Sequence, residues 1–193
     1  MATRSTARNL SRRSQTCGAV ILCAGASSRM GRPKGLLDLG GTPLLRAHVD
    51  VFFGAGLPVT VVLGSQVAAH VAILPPGVRV VINLRWASTE MADSAAMGLE
   101  GQGDALVMPV DAAPARPETL ARLLAAGGTA VPTWAGQPGH PIRLSAPHPW
   151  VRLEARLADA EPVPVDDPDC LTNLNRPEEW AAWLHRRHAS DRG

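Results

Sequence analysis

Tyrosine is absent from this chain of 193 residues, phenylalanine occurs twice and lysine once. The first two shortages exclude a core built on aromatic stacking. They leave Val, Leu, Ile and Ala to fill it, the composition of a parallel sheet covered by helices on both faces. Cysteine is also scarce. Cys17, Cys23 and Cys170 have no metal-ligand spacing, and Cys23 lies in an apolar run as a small buried hydrophobe. Nothing demands an oxidising compartment, so the cytoplasm is the expected location. No window approaches the apolar length needed to span a bilayer, so no membrane association is expected.

What is present suits one globular domain. Hydrophobic residues make up 46% and charged residues 19%, which is too apolar for a disordered chain. The formal net charge of +2 is carried by the ends. Residues 18–182 hold 12 cations and 16 anions, so the body is at 12 − 16 = −4, which argues against a nucleic-acid surface. Residues 1–16 read as a flexible basic leader, rich in Ser, Arg and Thr and without the apolar stretch of a secretory signal; an organelle transit peptide is the alternative. The domain is expected over residues 17–188, with a short tail at 189–193.

Strand and helix patterns alternate. Apolar runs predict strands at Gly18–Cys23, Val59–Leu63, Val78–Asn83, Ala105–Val110 and Thr129–Trp134. Between them, helices are expected from a Thr42 cap with Pro43 in the first turn, over Gln66–Leu74, over Ser88–Leu99 and over Pro117–Ala126. Later come a short strand at Ile142–Leu144, a helix at Val151–Ala158, an extended Val163–Val165 and a closing helix at Pro177–His188 with Trp180 and Trp183 on one face. Repeated strand–helix–strand order predicts an α/β, doubly wound, mostly parallel sheet, which presents ligands at the carboxyl ends of its strands.

The single lysine closes the run Val20-Ile21-Leu22-Cys23-Ala24-Gly25-Ala26-Ser27-Ser28-Arg29-Met30-Gly31-Arg32-Pro33-Lys34. A buried strand leads into a loop of small residues, whose backbone N–H groups can approach phosphate oxygens, and then into Arg29 and Lys34. Among so many arginines, a lysine here suggests a site for a compact, mobile ammonium rather than a planar fork. The layout suits a nucleoside triphosphate. Its spacing fits neither a Walker A loop nor the dinucleotide fingerprint. A second motif, Met108-Pro109-Val110-Asp111, sets a carboxylate at the end of an apolar strand, as a hard ligand for Mg²⁺ or as the cap of the next loop.

The string Leu22-x-Ala24-Gly25-x-Ser27-x-Arg29-Met30-Gly31-x-Pro33-Lys34 resembles the signature of MobA-like nucleotidyltransferases, and within them is most similar to molybdenum cofactor cytidylyltransferases. The resemblance implies a Rossmann-like nucleotide-diphospho-sugar transferase fold. It also implies Mg²⁺ at Asp111, with Arg29, Lys34 and Asp111 catalytic. Leu22, Ala24, Gly25, Ala26, Ser27, Ser28 and Lys34 would line the nucleotide. Asn83-Leu84-Arg85-Trp86 through Ser94 is similar to the family's base and sugar segment, which adds Asn83 and Ser94, although Glu90 stands where the family has Gly. Gly136-Gln137-Pro138-Gly139-His140-Pro141 resembles the family's turn on the acceptor side and adds His140, for which a structural role is the commoner alternative.

Leu171-Thr172-Asn173-Leu174-Asn175-Arg176-Pro177-Glu178 resembles the closing motif. Asn173 and Asn175 share a face of an extended segment. Asn173 is the preferred second metal ligand, and Asn175 is divided between ligation and capping the next helix. The expected reaction moves CMP from CTP to molybdopterin, with a molybdoenzyme or its chaperone as partner. Ala24 before Gly25, rather than a second glycine, favours CTP over GTP. Ser145–Asp169 is short and lacks the family's Gly-Asp-x-Gly element, which leaves two alternatives open: a sugar or polyol phosphate acceptor, or a non-catalytic nucleotide-binding relative.

Overall fold

The computed structural model describes residues 17–27, 30–148 and 157–190. Strand β1 (Gly18–Cys23) is buried along its whole length, between β2 (Val59–Leu63) and β4 (Ala105–Pro109), and parallel to both. A strand covered on both faces favours apolar residues along its length, and these three have them except at Thr60, whose buried hydroxyl accepts from Gln102 Nε2. Strand β3 (Arg79–Ile82) continues the parallel set at the edge beyond β2. On the other side, β7 (Ile142–Leu144) runs antiparallel to β4, and β5 (Ala130–Trp134) runs antiparallel to β7. Two reversals leave β5 pointing the same way as β4. The hairpin strand β6 (Gln137–Pro138) and the parallel β8 (Glu161–Pro164) pair with β5, which completes an eight-stranded sheet of order β3-β2-β1-β4-β7-β5-β6.

Side chains of β1 alternate between two cores. Ala19, Ile21 and Cys23 face α1 (Leu44–Gly54) and α4 (Pro117–Ala125), packing with Phe52, Met108 and Leu120. Val20 and Leu22 face α3 (Met91–Leu99), with Val62, Val107 and Leu144. A third cluster gathers Met30, Leu37, Leu44, Leu174, Trp180 and Trp183, so the closing helix α5 (Pro177–Ser190) packs against the end of the signature loop.

Three helix starts differ from the sequence expectation, each for a local reason. Thr42 makes no cap. Asp38–Pro43 closes as a tight turn, with Gly41 N–H donating to Asp38 Oδ1 (2.7 Å), and Pro43 itself occupies the cap position before Leu44. Helix α2 starts at Val67 because Gln66 adopts a left-handed φ of 53°, and it ends at Val71, after which Ile73 and Leu74 N–H donate three residues back, to His70 and Val71 C=O, as turns. The expected Ser88–Leu99 helix breaks into a 3₁₀ turn at Trp86–Ser88 and α3, since Glu90 and Asp93 form a reciprocal capping box that fixes the start at Met91. The expected helix at Val151–Ala158 lies almost wholly outside the described residues.

Candidate active site

Strands β1 and β4 are neighbours and parallel, so the segments that follow them emerge side by side. After β1 come Ala24 and the exposed Gly25 and Ala26. Ser27 turns the chain with a φ of 54°, its carbonyl accepts from Met30 N–H (3.0 Å), and its hydroxyl accepts from Lys34 N–H (3.0 Å). The loop therefore closes on itself and sets Lys34 at the start of a 3₁₀ turn, Lys34–Leu36. Ser28 and Arg29 fall outside the described residues.

The Lys34 ammonium donates to Asp111 Oδ2 at 2.9 Å and to Asn175 Oδ1 at 2.7 Å. These side chains are distant in sequence, 77 and 141 positions from Lys34, and the sheet and the closing segment bring them to one point. The side chains of Lys34 and Asp111 are 13% and 24% exposed, so the pair is sheltered but reachable. Several backbone bonds hold Asp111 in place. Val110 N–H donates to Leu22 C=O, the continuation of the β1–β4 pairing, and Leu174 N–H donates to Asp111 C=O at 2.6 Å. Ala112 bridges to Asn173. The segment carrying Asn173 and Asn175 is thus stitched to the segment carrying Asp111.

Of the two asparagines, Asn175 reaches Lys34, while Asn173 is exposed beside Ala112. Asn175 does not cap α5. That task falls to Glu179, whose Oε2 accepts from Asn175 N–H (2.7 Å) and Arg176 N–H (3.0 Å) and frees the Asn175 amide for the cluster. Asn83 and Ser94 are buried and bonded to each other at 3.0 Å. Asn83 also donates to Thr89 Oγ1 and accepts from Arg85 N–H, so both residues brace the turn between β3 and α3. Leu22 is buried, and its carbonyl accepts from Val110.

His140 N–H donates to Cys170 C=O (2.8 Å), while its Nδ1 is buried without a hydrogen-bond partner among the described residues. Burial pushes its imidazole below the ordinary histidine range, and the Asp111 charge acts in the opposite direction. His48 on α1 reaches the residue before Asp111, with its Nε2 3.3 Å from Val110 C=O. Burial lowers its pKa to about 4, against smaller opposing effects from the backbone of Val110 and Ala112 and from Asp111.

The sequence reading passed over a second wall. Ser65 follows β2, donating its hydroxyl to Gly25 C=O (2.8 Å) and its N–H to Ala24 C=O (3.2 Å). Gly64 must be glycine, since a Cβ there would collide with Ala24 C=O and with Trp86. The available signal was a second buried strand ending in Gly-Ser beside the one that bears the signature.

Asp111 Oδ2 and Asn175 Oδ1 converge on one position, now held by an ammonium, and both are hard oxygens. Among the described residues no three His, Cys, Asp or Glu side chains gather as a metal cage. One or two protein oxygens plus substrate phosphates is how Mg²⁺ is commonly held, so the donor set fits a divalent ion that arrives with a triphosphate.

A match to the MobA-like NTP transferase domain spans residues 19–165. The chain belongs to that family. It is 36% identical over 94 residues to a 2-C-methyl-D-erythritol 4-phosphate cytidylyltransferase of Nocardia farcinica; the stretch covers 45% of this chain and 39% of that relative. Its fold matches Rv0371c of Mycobacterium tuberculosis in complex with manganese (TM-score 0.70, 22% identity, covering 88% of this chain and 98% of that one). It also matches molybdopterin-guanine dinucleotide biosynthesis protein A of Archaeoglobus fulgidus (TM-score 0.64, 14% identity, covering 89% and 99%).

Proposed function

We propose that this chain transfers a nucleoside monophosphate, CMP from CTP, to a phosphate-bearing acceptor, foremost molybdopterin, and releases pyrophosphate. The observation that carries the reading is the convergence of Lys34, Asp111 and Asn175 at the carboxyl ends of β1 and β4, directly after a loop of small residues. An acceptor phosphate oxygen attacks the α-phosphorus, a new P–O–P bond forms, and the bond to the β-phosphate breaks in line. Little covalent work falls to the protein, so rate comes from positioning and from neutralising crowded charge.

Lys34 and Arg29 neutralise the β- and γ-phosphates and the leaving pyrophosphate. Backbone N–H groups of Ala24–Ser27 contact phosphate or base. Asp111, with Asn175 or Asn173, would hold Mg²⁺, which supplies charge neutralisation at the α-phosphate. The manganese bound by the fold relative from Mycobacterium tuberculosis supports a divalent ion. Because Lys34 occupies the oxygens that a metal would use, it must release them as the triphosphate arrives. An ammonium on a flexible stem suits that exchange. His140 stands toward the acceptor. The free thiols of Cys17, Cys23 and Cys170 support a reducing, cytoplasmic setting.

A second acceptor is favoured by one observation. The relative with 36% identity over the matched stretch is named for a polyol phosphate, 2-C-methyl-D-erythritol 4-phosphate. Pyrophosphate release with each of the common NTPs, in the presence of reduced molybdopterin or of polyol and sugar phosphates, separates the readings. CTP with molybdopterin is expected to be fastest. A faster polyol phosphate would move the acceptor. Nucleotide binding without release in any combination would retire the transferase reading.

A further inference from the structure

Helix α1 carries one residue that its core face does not require. That face is Leu44, Leu45, Val49 and Phe52, and in its midst stands His48, 1% exposed. A leucine there would bury more apolar surface, and a buried imidazole costs free energy unless its N–H finds an acceptor. His48 has found one. Its Nε2 lies 3.3 Å from the carbonyl oxygen of Val110, the residue before Asp111. A carbonyl only accepts, so Nε2 carries the proton. The Asp111 charge acts on this ring as well, opposing the effect of burial. On the far flank, Leu174 and Thr172 tie the same segment to the stretch bearing Asn175.

We propose that His48 is a positioning residue for Asp111: its buried N–H fixes the Val110 carbonyl and so sets the direction in which the carboxylate meets Lys34 and Asn175. The inference rests on the reading of this cleft as a metal–triphosphate site. Hydrogen-bond partners behind a metal ligand typically govern affinity by about 10–100-fold.

The test compares His48→Leu, which keeps volume and loses the donor, with His48→Gln, whose amide N–H can reach Val110. Mn²⁺ binding in the presence of CTP is read by electron paramagnetic resonance, alongside pyrophosphate release and thermal unfolding. His48→Leu is expected to weaken Mn²⁺ binding and lower kcat by about tenfold or more, with KM for CTP within about twofold. His48→Gln should recover most of both. Wild-type Mn²⁺ affinity in His48→Leu would overturn the proposal. So would equal loss in both variants that merely tracks their loss of thermal stability. Should His48→Leu fail to fold, His48→Asn takes its place, since its shorter amide falls short of Val110 and is expected to be impaired where His48→Gln is not. Asp111→Asn runs in parallel: if it binds Mn²⁺ like the wild type, the reading of the cleft fails; if it alone loses Mn²⁺, only the role of His48 fails.

Discussion

Lys34 satisfies two oxygen acceptors, and both contacts are short, at 2.9 and 2.7 Å. Two consequences follow at this scale. Removing a charge-stabilising group of this kind costs about 10²–10³ in rate, so Lys34→Ala should cut pyrophosphate release by that factor while circular dichroism stays native. Near-full turnover would remove Lys34 from the mechanism. Lys34→Met should also strengthen Mn²⁺ binding in the absence of nucleotide, because it vacates the position between Asp111 and Asn175; unchanged affinity would mean that the ammonium and the metal do not compete. Lys34 and Asp111 were legible because each follows an apolar strand, and neighbouring strands end together. Which asparagine side chain meets Lys34 Nζ was not resolvable, because alternation along an extended chain gives a shared face and no more. The choice depends on Glu179 reaching back from α5 to take over the cap.

Among the elements, the buried strands β1, β2, β4 and β7 were legible almost to the residue, since a strand buried on both faces is a continuous apolar run with abrupt ends; the exposed β6 was not expected, and β8 runs over Glu161–Pro164 rather than Val163–Val165. Helix starts were not, because a left-handed Gln66 or a Glu90–Asp93 box is decided by a few backbone angles that hydropathy does not report. The β2-to-α2 turn was missed for the same reason, although it braces the signature loop from behind. There Gly64 packs against Ala24 C=O and the Trp86 side chain. Gly64→Ala forces either the loop or the tryptophan outward, at a cost of about 1–3 kcal/mol, which for a domain of this size lowers Tm by several degrees. Calorimetry should also show weaker CTP binding, because the displaced carbonyl belongs to the loop proposed to hold the nucleotide. Gly127→Ala, with open space around it, serves as the control and should leave Tm unchanged. Equal behaviour of the two variants would mean that the close approach at Gly64 has no consequence.

For the whole molecule, the cleft depends on fastening the chain's last third to its first. Trp183 Nε1–H donates to Asp169 Oδ1 at 3.1 Å, and Trp180 and Trp183 pack with Leu37 and Leu44, so α5 and the loop before it move only if that cluster loosens. Burial depresses His48, His70 and His140 alike, with His48 lowered to about 4 from an ordinary 6.5. The unfolded chain therefore binds protons that the folded chain does not. Stability is full above pH 6.5 and falls as pH drops toward the folded values. For His48 the loss is about 1.4 kcal/mol per pH unit within that window. Urea midpoints should be lower at pH 5 than at pH 7, with a shallower fall in His48→Gln; a midpoint that does not drop at pH 5 would contradict this account of the buried rings. The measurement that bears most directly on the cleft is Mg²⁺-dependent pyrophosphate release from CTP with reduced molybdopterin, in wild type and Asp111→Asn side by side. We predict release by the wild type and a loss of at least about 10² in the variant. Equal release by the two would contradict the assignment of the reaction to this cleft.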